Sequence, residues 1–203
     1  MAKFNRDEID IFHDYGVYVP DRTVYMGSEL VSETDDFAES GTEAKMVERF
    51  IKNMHFLESL SNEAITIIMN NPGGDHYSGM AIYDAIKASK AHTTIKVFGQ
   101  AFSMGSLILQ AANKRILAPN SRIMIHYGTQ GTGEVHTKDF KQLADESEKL
   151  DTLIEDIYLQ KINKKRPISR QELQKILMVD TYLSPKEAVE MGLADKILGE
   201  DDV

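Results

Sequence analysis

The chain has 203 residues, of which 42% are hydrophobic and 27% charged, and it contains no cysteine. This composition is typical of one globular domain with a full core, and it excludes disulfides, thiolate metal ligands and a cysteine nucleophile. The formal net charge of −9 argues against a nucleic-acid or anionic-membrane partner, because both need clustered Lys and Arg.

The amino-terminal segment has the pattern of strands. Residues 8–28 are rich in β-branched and aromatic side chains, with turn signals around Gly16 and Pro20, and they predict two or three short strands. Acidic residues stand where a signal peptide would be apolar, and no apolar run in the chain reaches the roughly 20 residues of a membrane span. We therefore expect a cytoplasmic protein.

The middle of the chain alternates between strand and helix patterns. Ser40 and Glu43 have the spacing of a capping box, and apolar residues from Met46 to Leu60 recur at helical spacing. The run AITIIMN predicts a buried strand, and a second helical pattern follows the break at NPGGD. The unit then repeats, with TTIKVF as a strand, GQAFSMG as a turn and SLILQAAN as a helix. This alternation favours an α/β fold with a mostly parallel sheet.

The second half of the chain adds two strands, a long helix and two short ones. RILA and RIMIH predict the strands, and a glycine-rich segment precedes an amphipathic stretch whose apolar face runs from Phe140 to Ile157. We expect residues 128–165 to form an arm. Ser169 with Glu172, and Ser184 before a proline, each predict the start of a capped helix.

Two turns carry the features of a catalytic site. Ligand sites in open α/β sheets lie beyond the carboxyl ends of the strands, where NPGGD and GQAFSMG fall. Ser103 begins a helix whose first N–H groups have no intrahelical partner, so its hydroxyl, near the N–H groups of Met104 and Gly74, would suit acyl transfer. The alternatives are that Ser103 is a helix N-cap and that the glycines form only a turn. Ser106 lies a turn into the helix, where a hydroxyl bonds to the backbone or packs.

A serine nucleophile needs a base and a carboxylate. His126 ends an apolar strand, in the same kind of position as Ser103, and His76 follows the glycine turn and is a rival. Asp180 lies between two predicted helices among apolar neighbours, so we expect it to be poorly solvated and to need a partner. Its alternative role is to cap or bond the nearby backbone.

These residues lie within segments that resemble the Clp protease proteolytic subunit family, ClpP. The resemblance covers residues 43–198 and is carried by MNNPGGDHYSGMAIYDAIK, GQAFSMGSLILQAANKRILAPNSRIMIH and VDTYLSPKEAVEMGLADKIL. It implies a single protease domain over residues 1–203 with a crotonase-like α/β fold, stacked βα units and a protruding handle helix within residues 128–165. It also implies Ser103 as nucleophile, His126 as base and Asp180 as orienting carboxylate. The backbone N–H groups of Gly74 and Met104 would form the oxyanion hole.

The resemblance further implies a compartmentalised serine endopeptidase that needs no metal or cofactor. Two stacked heptameric rings would form a tetradecamer, and an Hsp100-type ATPase would feed it unfolded polypeptides. The segment YGTQGTGEVH would pair with the extended substrate as an added strand.

Three departures from the family pattern stand out. Members commonly carry Asp-Arg before the catalytic Asp, as an ion-pair sensor at the ring contact, whereas this chain has Met178 and Val179. Thr66 and Ile68 replace tyrosines that help to dock the ATPase, and residues 1–40, predicted as divergent strands, match poorly. These changes suit a divergent member of the family, such as a viral one.

Three alternatives remain at this point. An ATPase-independent relative, of the prohead-maturation or signal-peptide-peptidase type, would share the triad. An acyl-CoA hydratase or isomerase would share the crotonase fold but use carboxylates in place of a Ser–His pair. A non-catalytic scaffold subunit would be expected to lack a triad member, and none is missing here.

Overall fold

An eight-stranded, mostly parallel sheet forms the centre of the computed structural model, which describes residues 6–27, 41–128 and 136–200. The strands within these ranges are Val17–Tyr18 (β1), Thr23–Met26 (β2), Ile65–Asn71 (β3), Thr93–Phe102 (β4), Lys114–Leu117 (β5), Arg122–Ile125 (β6), Thr181–Leu183 (β7) and Lys196–Ile197 (β8). The helices are Arg6–Tyr15 (α1), Ala44–Leu60 (α2), His76–Ala88 (α3), Met104–Leu109 (α4), Thr137–Ile162 (α5), Arg170–Leu177 (α6) and Pro185–Met191 (α7).

The sheet branches at its longest strand. Its main order is β1-β2-β3-β4-β5-β8, with antiparallel pairing only between β1 and β2 along this path. The first half of β4 pairs with β5, whereas its second half, Gln100–Phe102, pairs with β6. Gly99 lies between the two halves with φ +83°, and a β-carbon there would lie 2.7 Å from Asn70 Oδ1. The strand β6 therefore extends one end of the sheet, and β7 pairs antiparallel with it.

The core lies between this sheet and the helices packed against it. Ile65, Ile67 and Met69 on one face of β3 are fully buried, and residues on its other face are partly buried. Helix α2 packs against β2 and α3, and α3 packs against α4. The predicted α/β fold with a mostly parallel sheet is confirmed.

The amino-terminal prediction of strands alone was wrong. Only β1 and β2 are strands, and residues 6–15 form helix α1. The apolar pattern of this segment is ambiguous. Ile9 and Ile11 alternate as in a strand, but Ile9, Phe12 and Tyr15 recur every three residues, which is equally typical of a helix. The ring of Phe12 packs edge-on against Tyr18 in β1, 6.1 Å away, and this tertiary contact favours the helix.

Two other boundaries differ from the predictions. The predicted turn GQAFSMG is largely strand, because β4 continues to Phe102, and α4 ends at Leu109. The N-cap of α2 is Glu43, whose side chain accepts the N–H of Met46, whereas Ser40 lies outside the described residues. The predicted capping boxes at Ser169 and Ser184 are both confirmed.

Helix α5 forms most of the described part of the predicted arm. Its carboxyl-terminal half is buried at Ile154 and Ile157, as the amphipathic pattern predicts, but Phe140 and Leu143 are 56% and 39% exposed. Leu153 in the second half is also 40% exposed, so the predicted apolar face is covered only in part. The limits of the arm and of the single domain stay predictions, and residues 129–135 of the glycine-rich segment lie outside the described ranges. None of the described helices combines the length and apolarity needed to cross a bilayer.

Candidate active site

Three parallel strand ends meet at the branched edge of the sheet. The pairing of Phe102 with Met124 aligns the ends of β4 and β6, and the N–H of Ser103 donates to the carbonyl of Met124 at 2.9 Å. Ser103 directly follows β4 and His126 directly follows β6, so the register sets the two side chains next to each other. The turn containing Gly74 follows β3, which pairs with the other side of β4.

The antiparallel pairing of β7 with β6 places the carboxylate of Asp180 beside His126. Ile125 lies opposite Thr181, and the same register continued by one residue sets Asp180 opposite His126. Residues 54 apart in sequence thus become cross-strand neighbours at the same end of the sheet. The structure therefore brings together the three side chains predicted from the sequence.

The three side chains form a continuous hydrogen-bonded chain. His126 Nδ1 lies 2.8 Å from Asp180 Oδ1, and His126 Nε2 lies 2.8 Å from Ser103 Oγ. A carboxylate only accepts, so Nδ1 carries the proton and Nε2 accepts the hydroxyl proton of Ser103. This is the tautomer that a general base requires.

The solvation expected for Asp180 was wrong. Its side chain is 57% exposed, and the preceding Met178 and Val179 are 76% and 63% exposed. The apolar neighbours do not cover the carboxylate, because they point to the surface of the chain. His126 is 21% exposed and lies between this surface and the interior.

Ser103 does not have the capping role considered for it. Its hydroxyl makes no capping hydrogen bond to α4, and its backbone has φ 51° and ψ −122°. A positive φ is strained for a residue with a β-carbon, and such strain collects at functional sites. Ser106 instead is fully buried, and its hydroxyl bonds the carbonyl of Ser103 and the hydroxyl of Tyr158, both at 2.6 Å. The packing role predicted for Ser106 is confirmed.

The glycine turn lies close to Ser103. Thr42 forms a parallel bridge opposite Gly74. The N–H of Thr42 donates to the carbonyl of Gly73, and the carbonyl of Thr42 accepts the N–H of Asp75. In such a bridge the N–H of Gly74 itself points to the opposite side. A β-carbon on Gly73 would lie 2.7 Å from the β-carbon of Ser103, so the close approach of the turn needs glycine.

Asn71 and Thr42, which were not among the residues predicted from the sequence, hold this turn. Asn71 Oδ1 accepts the N–H of Gly73 at 2.8 Å and the hydroxyl of Thr42 at 3.1 Å. An asparagine two residues before a glycine after a strand is the signal of an Asx turn, and it was available in the sequence. Asn71 is therefore a positioning residue for the turn.

A cleft of about 380 Å³ opens beside Ser103. Its lining includes Gly74, Met104 and His126 from the sheet end, and residues of α5 on the other side. The rival base His76 also lines the cleft, but its Nε2 is buried and has no hydrogen-bond partner among the described residues. Burial lowers the pKa of His76, against the opposing charge of Asp75. His126, and not His76, is the imidazole within reach of the Ser103 hydroxyl.

Comparison with known proteins identifies the family. The family model described as Clp protease matches residues 20–201. The chain is also 33% identical over 183 residues to the ATP-dependent Clp protease proteolytic subunit of Deinococcus radiodurans, a match covering 89% of this chain and 87% of the relative. The chain belongs to the Clp protease family. This family consists of serine endopeptidases, which favours the protease over the acyl-CoA alternative.

In this Clp protease a polar network lies behind His126. Tyr127 donates to Glu155 of α5 at 2.5 Å, and Arg170 and Gln174 of α6 donate to the same carboxylate at 2.5 and 3.1 Å. Glu155 is 5% exposed, so the network ties the end of β6 to two helices in the interior. No local pattern predicts this network, because the three partners of Glu155 are 15 to 28 residues away from it in the chain.

Proposed function

We propose that this chain is the proteolytic subunit of a compartmentalised serine protease, with Ser103 as nucleophile, His126 as base and Asp180 as orienting carboxylate. The observation that carries the proposal is the continuous chain of two 2.8 Å hydrogen bonds linking the three side chains. The uncapped, strained Ser103 supports it, since a merely structural N-cap would bond the helix.

The geometry suits acyl transfer in two steps. As Ser103 Oγ attacks the peptide carbonyl, its proton passes to His126 Nε2, and Asp180 stabilises the resulting imidazolium. The N–H groups of Gly74 and Met104 donate to the oxyanion. The imidazolium then gives its proton to the leaving amine, and an acyl-enzyme remains. Water attacks the acyl-enzyme with His126 again as base, which releases the acid and restores the Ser103 hydroxyl.

The assembly forms part of the same proposal. Members of the family form oligomeric rings with ATPase partners. We infer two stacked heptameric rings for this chain, with an Hsp100-type ATPase supplying unfolded polypeptides. The isolated subunit exposes large apolar side chains that an assembly would cover, among them Tyr25, Phe56, Phe98 and Tyr182.

An ATPase-independent protease is the second candidate. It is favoured by Thr66 and Ile68 on β3, where relatives are expected to carry docking tyrosines. The test is whether the purified chain degrades a permanently unfolded protein without ATP or an ATPase. Degradation as fast as the hydrolysis of short peptides would favour this candidate. Rapid hydrolysis of short peptides alone would favour the ATPase-dependent form.

The nucleophile is tested by fluorophosphonate labelling of the purified chain. Ser103→Ala should abolish labelling because it removes the only hydroxyl bonded to His126 among the described residues. Ser106→Ala is the matched control and should keep labelling, although it loses two buried hydrogen bonds. Labelling that survives in Ser103→Ala and disappears in Ser106→Ala would reassign the nucleophile.

A further inference from the structure

The cleft beside Ser103 has apolar walls and an acidic character. Met104, Leu107 and Ile154 line it and are each at most 4% exposed. Its lining also contains the carboxylates of Asp75 and Asp151. Among the described residues, no lysine or arginine lines the cleft. An aliphatic stem would pack against such walls, whereas a negative charge would be repelled.

Of the two carboxylates, Asp151 is the one without a partner among the described residues. Asp75 is the N-cap of α3 and accepts the N–H of Ser78 at 2.8 Å. Asp151 makes no hydrogen bond or ion pair within the described ranges, although it is half-buried on α5. One turn further along α5, Glu155 is neutralised by Arg170. Burial raises the pKa of Asp151, and the charges of Glu155 and Glu148 raise it further, so a cation beside it would relieve this repulsion.

A second polar atom of the cleft is also unsatisfied. His76 Nε2 is buried and has no partner in the described part of the chain. Because burial favours its neutral form, the imidazole adds no positive charge that would oppose a cation. Since His76 Nε2 is buried, the acceptor that the cleft offers to a cationic substrate group is the carboxylate of Asp151.

We propose that Asp151 is a specificity-determining residue that selects lysine or arginine at the substrate residue whose carbonyl Ser103 attacks. The substrate stem lies along the apolar walls, and its ammonium or guanidinium group pairs with Asp151. This inference rests on the proposed function, because it concerns the substrate of the same site.

The test uses quenched peptides identical except at the cleaved residue, which is Lys, Arg, Gln or norleucine. We expect wild type to hydrolyse the Lys and Arg peptides with kcat/KM about tenfold or more above the Gln peptide, as for a charge-assisted hydrogen bond. Asp151→Asn should bring this ratio close to one, and Asp151→Leu should make norleucine the preferred residue. Asp145→Asn, an exposed position on α5 outside the cleft lining, is the matched control and should keep the wild-type ratio.

Fluorophosphonate labelling, which needs no substrate side chain, separates the two proposals. Normal labelling with a Lys-to-Gln ratio near one in wild type, or with a ratio unchanged in Asp151→Asn, would overturn the specificity inference and leave the protease standing. Absence of labelling in wild type would instead overturn the proposed function. A melting temperature of Asp151→Asn equal to that of wild type excludes unfolding as the cause of a lost preference.

Discussion

Asp180 is a solvent-exposed carboxylate in the position where a serine protease needs a firm orienting group. Solvent screens its charge interaction with His126, so its main contribution is directional. It holds Nδ1–H and thereby leaves Nε2 facing Ser103. The register of β6 and β7 supplies the precision that burial does not.

We expect Asp180→Asn to lower kcat by on the order of 10²–10⁴-fold with little change in KM, because an amide also stabilises the wrong imidazole tautomer. The measurement is peptide hydrolysis at saturating substrate, with Asp145→Asn as the control for an exposed acid far from the triad. A kcat for Asp180→Asn within a few-fold of wild type would mean that other contacts orient His126.

At the scale of secondary-structure elements, Glu155 joins β6 to α5 and α6. Burial alone would raise the pKa of Glu155, but hydrogen bonds from Tyr127, Arg170 and Gln174 outweigh it, and the pKa lies below its ordinary value of 4.5. Burial and the bond to Glu155 also raise the pKa of Tyr127 well above 10, so the phenol stays a donor. The network thus holds the residue next to His126 against α5, which lines the cleft, and against α6.

Since the folded carboxylate has a lowered pKa, its stabilising effect is present above about pH 4.5 and is lost as the pH falls through the folded value. We expect Glu155→Gln to unfold at a lower temperature than wild type at pH 7, and the difference to shrink as the pH falls below about 4.5. Thermal unfolding followed by circular dichroism measures this difference.

Glu190→Gln, an exposed acid on α7 outside the network, is the control for general acid effects. A difference between wild type and Glu155→Gln that stays constant down to pH 3.5 would show that the network is held by shape and not by the charge of Glu155.

At the scale of the whole molecule, the surface next to Asp180 is apolar. Met178 and Val179 are among the most exposed apolar side chains described, at 76% and 63%. Relatives are expected to carry an ion pair here at the contact between rings. Apolar contacts weaken little in salt, whereas exposed ion pairs are screened within a Debye length of about 8 Å at physiological ionic strength.

We therefore predict that the proposed double ring keeps its size between low and moderate salt. Sedimentation velocity at several salt concentrations measures this, and the double variant Met178→Asp, Val179→Arg should introduce the salt dependence that the wild type lacks. Rings of the wild type that separate in moderate salt would contradict an apolar contact at this surface.

The amino-acid sequence alone was enough to predict which side chains would lie together at the strand ends. The strand endings NPGGD, Ser103 and His126 are local patterns, and parallel strands present their carboxyl ends at one edge, so their meeting could be predicted. The capping boxes at Ser169 and Ser184 are equally local, because a cap is made within four residues.

Features that depend on contacts between distant elements could not be predicted from local sequence patterns. The helix at residues 6–15, the exposure of Asp180 and the hold of Asn71 on the glycine turn each follow from how separate segments pack. The same is true of Asp151. It lines the cleft because α5 lies against α4, and the sequence around Asp151 contains no pattern that predicts this position. Local propensity acts over a few residues, whereas burial and pairing arise only when the whole chain has closed on itself.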